Sequence, residues 1–299
     1  MSKIIVRNIF KSFKNNNVLA GLTFECDNEI VFIAGRNGAG KTTFIRIALK
    51  LERADKGEIS LEFNNTSREK KVGAVFDTPC LYRQMSCKEN LHIHCTGYLS
   101  DKKHVKTILD NLRIDKEILR KKAGNCSFGQ QHRVSVAIEL IRKPEILFLD
   151  EPTIGLDPIS WELIKKSIIE NKKAQRGCVI VTGQDYFELG KMADKILILE
   201  NGKAQYFGTI PGFLASAPEM VLLKTNTNEL PEIIKEHCLS NASIDIEGLY
   251  AFVLLAGKID ILQCLRENNI PIVSLDVHKP DLKSAILAVY KNKEERGIV

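Results

Sequence analysis

The stretch that most constrains this chain is Gly35-Arg36-Asn37-Gly38-Ala39-Gly40-Lys41-Thr42-Thr43. It meets the pattern G-x-x-x-x-G-K-[ST] at every fixed position. Before it runs Ile30-Val31-Phe32-Ile33-Ala34, apolar throughout, as a strand buried on both faces should be. After it comes Phe44-Ile45-Arg46-Ile47-Ala48-Leu49, which reads as a buried helix. Strand, glycine-rich loop and helix in that order build an anion site. Glycines let backbone N–H groups converge on phosphate oxygens with no Cβ in the way. The helix N-terminus adds unpaired donors and a partial positive charge. In such a loop Lys41 bridges the β- and γ-phosphates and the Thr42 hydroxyl ligates Mg²⁺. An ordinary glycine turn is the bland alternative, and the flanking segments argue against it.

A second constellation says what the phosphate is for. Ile146-Leu147-Phe148-Leu149 is an apolar strand ending in Asp150-Glu151. Open parallel sheets bind ligands at the carboxyl ends of their strands. Asp150 there holds Mg²⁺ through water, and Glu151 polarises an attacking water as a base within hydrogen-bond reach. A third stretch, Cys126-Ser127-Phe128-Gly129-Gln130-Gln131-His132-Arg133, opens a helix whose apolar positions are Val134, Ala137, Ile138 and Ile141. Ser127 fits as N-cap, with Gln130 completing a capping box. Taken alone, it reads as a well-capped helix and nothing more.

Composition narrows the setting. The 299 residues leave room for one large domain or two ordinary ones. Apolar residues make up 44% and charged residues 27%, the balance of a soluble globular protein. The net charge of +6 is too small to argue for nucleic acid. No apolar run approaches the roughly 18–20 residues that span a bilayer, and residues 1–7 lack a signal-peptide core, so a cytoplasmic protein is expected. Eight cysteines without a C-x-x-C pair read as reduced thiols used as small core hydrophobes. Cys87, His92, His94 and Cys95 crowd together. Histidines two apart do not share a helix face, and 88–99 reads as a helix, which argues against a metal site there.

Along the chain, 3–10, 18–19 and 22–24 read as a β-rich opening, and 59–63 alternates like a half-buried strand. Residues 64–71 read as a turn and 72–76 as a short buried strand. From 86 to 142 apolar residues recur at helical spacing, as a helical insert. Strands return at 146–149, 179–181 and 195–199, with a helix over 161–171 and a turn at Asn201-Gly202 leading into 204–207. Strands alternating with helices predict a parallel sheet covered on both sides. Pro211 and Pro218 bracket an expected linker. Beyond it the expected order is strand 221–224, helix 230–239, strands 243–247 and 249–255, helix 258–269, strand 271–276 and helix 281–294. That is a ferredoxin-like β-α-β-β-α-β unit with an added helix.

Together these stretches resemble the ATP-binding subunits of ABC transporters, in motif order and spacing over residues 3–210. Gly35–Thr42 is similar to the family's Walker A loop, and Ser127-Phe128-Gly129-Gln130 to its signature motif. Asp150-Glu151-Pro152-Thr153 with Gly155-Leu156-Asp157-Pro158 is similar to the Walker B strand end and D-loop. The resemblance implies an α/β fold, a P-loop NTPase cassette with a helical subdomain over about 86–142, and places the cassette over 1–212. An α+β, ferredoxin-like accessory domain over 219–299 would follow. It further implies two subunits facing head to tail, each ATP lying between one subunit's residues 35–43 and its partner's Ser127, Gly129, Gln130 and Asp157. ATP closes the dimer, hydrolysis opens it, and the motion passes to a transmembrane permease through the helical insert. The subunit would then sit at the inner face of the cell membrane, touching it only through the permease and binding no nucleic acid. Implied catalytic residues are Lys41, Glu151 and Gln184; implied metal-site residues are Thr42, Asp77 and Asp150. Phe13 is similar in position to the aromatic that stacks on adenine, with Phe10 as its competitor.

Three features depart from the commonest family pattern. Asp77 stands at the Q-loop glutamine, and Phe128 within the signature; both resemble the antibiotic- and peptide-export branch, as does the C-terminal segment beginning Lys279-Pro280-Asp281-Leu282. Gln184 stands where the family has its switch histidine. An amide donates a hydrogen bond to a γ-phosphate but carries no charge at neutral pH. Asp185 and His132 are the alternatives for that role. A weakly hydrolysing regulatory half of a heterodimer is the second reading. A soluble ABC ATPase of translation or DNA repair is the third, and it would need a second cassette or long coiled-coil heptads.

Overall fold

The computed structural model describes residues 2–14, 16–64, 72–217, 220–225, 243–244, 250–255 and 261–294. The chain divides into two compact units, Met1–Phe207 and Gly208–Val299.

In the first unit, β1 (Lys3–Phe13) pairs antiparallel with β2 (Asn16–Asp27) and β4 (Lys56–Glu62) in a three-stranded sheet. The second sheet has six strands in the order β5 (Val72–Val75), β6 (Ile146–Leu149), β7 (Cys178–Gly183), β3 (Ile30–Ala34), β8 (Lys195–Glu200) and β9 (Lys203–Thr209). The pairings from β5 through β8 are parallel. β3, β6 and β7 are buried at every residue, which is why they read as unbroken apolar runs.

The helix α1 (Lys41–Ala48) turns Phe44, Ile45, Ile47 and Ala48 into a core shared by both sheets. Val31 and Ile33 of β3 point to that core, and the Phe24 and Phe44 rings lie 5.4 Å apart within it. Phe32, between them in sequence, faces the other way and meets Tyr186 of α7 (Tyr186–Met192) at 6.4 Å. The period-2 alternation of a strand thus covers the sheet on both faces.

The insert consists of α2 (Cys87–His94), α3 (Lys102–Asn111), α4 (Lys116–Arg120), a 3₁₀ turn at Ala123–Asn125, and α5 (Phe128–Ile141). The expected helix over 88–99 stops at His94, because the chain leaves helical geometry at Cys95 and makes turns from there to residue 100. The neighbouring sulfurs and rings go separate ways. Cys87 Sγ meets Cys126, the Cys95 thiol donates to the Ile138 carbonyl, and His94 stacks on Tyr82. The helix expected over 161–171 is α6 (Pro158–Gln175); Asp157 caps it and Pro158 supplies a first residue needing no N–H partner. β5 ends at Val75, leaving Phe76 outside the strand. The turn expected over 64–71 lies, after Asn64, outside the described residues.

In the second unit the expected linker at Pro211 is instead α8 (Ile210–Ser216), capped by Thr209, with Pro211 in its first turn. The domain limit expected at 212 therefore falls inside a helix. Four antiparallel strands pair in the order β11 (Ser243–Ile244), β12 (Tyr250–Leu255), β10 (Met220–Thr225), β13 (Ile272–His278). α9 (Ile261–Glu267) and α10 (Leu282–Glu294) complete the described residues; the helix expected at 230–239 lies outside them.

Candidate functional site

Sheet order assembles the site. β7 lies between β6 and β3, so the carboxyl ends of all three open on one edge. In register, Leu149 sits opposite Val181 and Ala34 opposite Gly183. One residue further, Asp150 meets Thr182, and Gly183-Gln184 comes level with the start of the glycine loop.

The loop itself is built for close approach. Gly40 has φ 103°, and a Cβ on it would lie 2.7 Å from the Val18 carbonyl oxygen of β2, so no side chain fits. Gly40 also begins α1 and brings no side-chain cap. The first-turn N–H groups of α1 are therefore left for a ligand. Lys41 is 6% exposed; its Nζ donates to the Gly35 carbonyl at 2.9 Å and to the Arg36 carbonyl at 3.3 Å. It also pairs with Glu151 Oε1 at 3.1 Å.

The acids are fixed by a residue the sequence pattern did not single out. Thr182 Oγ1 donates to Asp150 Oδ1 at 2.6 Å and accepts from the Glu151 N–H at 3.2 Å. Asp150 is buried, and its own N–H donates to the Val75 carbonyl. Glu151 has φ 50°, the left-handed region that a non-glycine residue occupies only under constraint. Gln184 Nε2 donates to Asn37 Oδ1, which brings the amide against the glycine loop. Of the two alternatives, Asp185 is occupied as the N-cap of α7, accepting from the Glu188 N–H at 3.0 Å. His132 is fully buried in α5 with both ring nitrogens unpartnered, and burial pulls its pKa down to about 4. A neutral imidazole enclosed there supplies no charge to a phosphate.

Ser127 caps α5, accepting from the Gln130 N–H at 3.2 Å, while Gln130 Oε1 accepts from the Ser127 N–H at 3.1 Å. Beside it Asp157 caps α6, accepting from both the N–H and the hydroxyl of Ser160; the hydroxyl contact first, then the N–H, holds its carboxyl below the usual range. A Cβ on Gly129 would lie 3.2 Å from Ser160 Oγ, so glycine lets the two helix starts pack closely. Phe128 lies along Gly155, and Phe128, Ile154 and Ile159 leave an apolar margin exposed around them. Asp77 is exposed, with Oδ1 accepting from the Thr78 N–H. Phe13 ends β1, 44% exposed, with Lys11 Nζ 4.8 Å from its ring centre; Phe10 instead covers Gly21 within the same hairpin.

A triphosphate and a hard divalent cation fit these groups. The uncapped start of α1 suits an anion, and the buried carboxylate of Asp150 and the hydroxyl of Thr42 in the first turn of α1 are the kinds of oxygen donor that suit Mg²⁺.

Residues 19–154 match the ABC transporter family. The SkfA peptide export ATP-binding protein SkfE of Bacillus subtilis is 32% identical over 71% of this chain and 92% of its own length. This chain belongs to the ABC transporter ATP-binding family. It is an ATP-binding, ATP-hydrolysing transporter subunit of the ABC type. Other relatives are the lantibiotic transport ATP-binding protein SrtF of Streptococcus pyogenes, 29% identical over 66% of this chain and 87% of that protein, and the probable sulfate/thiosulfate import ATP-binding protein CysA of Chlorella vulgaris, 31% identical over 75% and 95%. A solved ATP-binding subunit of an ABC transporter shares the cassette fold, with a TM-score of 0.64 at 24% identity, over 71% of this chain and 92% of that one. Among the described residues, no helix is long and apolar enough to cross a membrane.

Proposed function

We propose that the chain hydrolyses ATP to drive export of peptide, antibiotic or lipid-like compounds through a separate membrane permease, working as a dimer from the cytoplasmic face. The observation that carries the hydrolytic part is the convergence of Lys41, Glu151 and Gln184 on one edge of the parallel sheet. Export rather than import leans on Asp77 and Phe128 and on the peptide and lantibiotic relatives, since the import relative matches to a similar extent.

In this reading Lys41 leaves Glu151 and takes up the γ-phosphate. Gly35–Thr43 hold the phosphates through N–H groups, and Phe13 carries the base. Thr42, Asp77 and Asp150 would hold Mg²⁺, which would screen the phosphate charge. Glu151, freed from Lys41, orients and accepts a proton from the attacking water. Gln184 donates to the γ-phosphate from its position beside Asn37. Ser127, Gly129, Gln130 and Asp157 serve the partner subunit's nucleotide.

Glu151→Gln should keep ATP binding, slow hydrolysis by roughly 10²–10⁴, and trap a dimer. Light scattering that finds only monomer at saturating ATP and Mg²⁺, with and without permease, would contradict the dimer. The regulatory half of a heterodimer is the second reading, favoured by Gln184 in place of a charged switch residue.

Residues 219–299 we assign to dimer support or regulation, since they carry no glycine-rich loop or acidic strand end. A chain ending near residue 217 should bind nucleotide with unchanged affinity; a folded truncation that has lost ATP binding would refute the assignment.

A further inference from the structure

We propose that Cys87 and Cys126 form a dithiol that a hydroperoxide converts to a disulfide, and that this bond disables the Ser127 end of the signature segment. The two sulfurs lie 3.6 Å apart, both buried. Cys87 is the first residue of α2, and Cys126 immediately precedes the Ser127 cap of α5. The backbones that carry them are already clamped together. The Cys87 N–H donates to the Lys121 carbonyl at 2.9 Å and the Ala123 N–H to the Met85 carbonyl at 2.8 Å, around a bridge between Ser86 and Lys122. A disulfide needs sulfurs about 2.05 Å apart, so a gap of about 1.5 Å must close, by side-chain rotation and a small shift of the segment before Ser127.

The other buried thiols also have main-chain partners. Cys178 Sγ donates to the Ser2 carbonyl at 3.0 Å and accepts from the Asn28 N–H, Cys95 donates to the Ile138 carbonyl, and Cys26, which also meets Cys178, donates to the Glu29 carbonyl at 3.5 Å. Cys126 Sγ also makes a long contact, 3.6 Å, to the Lys122 carbonyl.

The order of reaction follows from access. Cys126 is 7% exposed and Cys87 not at all. Burial pushes the Cys87 thiol up to about 12, so it makes a poor first nucleophile and suits the resolving role. The Cys126 thiolate attacks the peroxide; an S–O bond forms, the O–O bond breaks, and the leaving oxygen departs as water after taking a proton. Cys87 sulfur then attacks the sulfenic acid. The S–S bond forms, the S–O bond breaks, and its proton leaves with the hydroxyl as a second water. Two thiols and one hydrogen peroxide give one disulfide and two waters, and an added dithiol reverses the step. The bond would draw Cys126 toward α2 and pull on the adjoining cap, in which Ser127 accepts from Gln130.

The effect on turnover rests on the role of Ser127 proposed above; the bond does not. The test is hydrogen peroxide treatment of the full chain, alkylation, and non-reducing peptide mapping, with phosphate release measured alongside. We expect a linked Cys87–Cys126 peptide, at least five-fold slower phosphate release, and recovery of both with dithiothreitol. Cys87→Ala and Cys126→Ala should each abolish the link and the peroxide sensitivity. A map in which Cys126 ends as sulfinic acid, or joins exposed Cys80, or stays a free thiol overturns the pairing. A linked protein with unchanged phosphate release overturns the disabling effect. In reduced protein, Ser127→Ala shows separately whether Ser127 matters to turnover, so the two failures are distinguishable.

Discussion

Two helix starts in the first unit are built in opposite ways. α1 begins at Gly40 with no side-chain cap, whereas α5 begins at Ser127 inside a complete capping box. Both helices bury an apolar face against a core, so packing does not explain the difference. A buried start without a cap leaves first-turn N–H groups without partners, which is expensive unless something else takes them. The chain leaves them so where Lys41 pairs with Glu151, just past the end of β6. At α5 the capping box gives partners from within the chain to the Ser127 and Gln130 N–H groups. The lesson is that α1 leaves its first turn open to a ligand, while α5 closes part of its own start with side chains.

The largest break in this comparison comes from Lys41→Ala. It removes the one cation that the first turn of α1 places beside Gly35 and Glu151. We expect loss of detectable ATP binding by calorimetry and of hydrolysis by at least ~10³, while α5 and the fold remain, as circular dichroism would report. Retention of micromolar binding would show that the uncapped backbone alone suffices for the phosphates.

Gln184 offers a finer probe of the α1 side. Removing a well-placed donor lowers rate by roughly 10²–10³; a neutral amide that shares its hydrogen bonding with Asn37 should matter less, on the order of ten-fold. Gln184→Ala should therefore slow steady-state phosphate release, and Gln184→His should leave it unchanged or raise it. Equal turnover in the alanine variant and the parent would remove Gln184 from the site.

Ser127→Ala tests the capped helix and should have the smallest effect on the isolated chain, about 1 kcal/mol of stability in urea unfolding. A loss above ~3 kcal/mol would mean that the cap holds more of the insert together than its own hydrogen bonds.

Much of this was readable in order along the chain, because the signals are local. The apolar runs of β3, β6 and β7, the glycine loop and the capping box of α5 are each written within about ten residues, and their physics needs no distant partner. Where local signals were weak or ambiguous, the sequence misled. Pro211 read as punctuation of a linker, yet proline at the first turn of a helix loses nothing, and Thr209 caps α8 around it. Residues 95–99 continued a helical pattern that the turns after His94 interrupt.

What the sequence by itself determined is the chemistry available: a lysine among glycines at a helix start, two acids at a strand end, an amide at position 184. What only the tertiary structure decided is which groups meet. Thr182 gave no motif, yet the register that sets Leu149 beside Val181 makes it the hydroxyl that holds both acids. Glu151 pairs with Lys41 because β7, distant in sequence from both, is the strand that lies between theirs. Cys87 and Cys126 touch through a turn that no spacing announces. Side-chain type is a property of one position, but contact is a property of strand order and register, and those are fixed by the burial of the whole sheet.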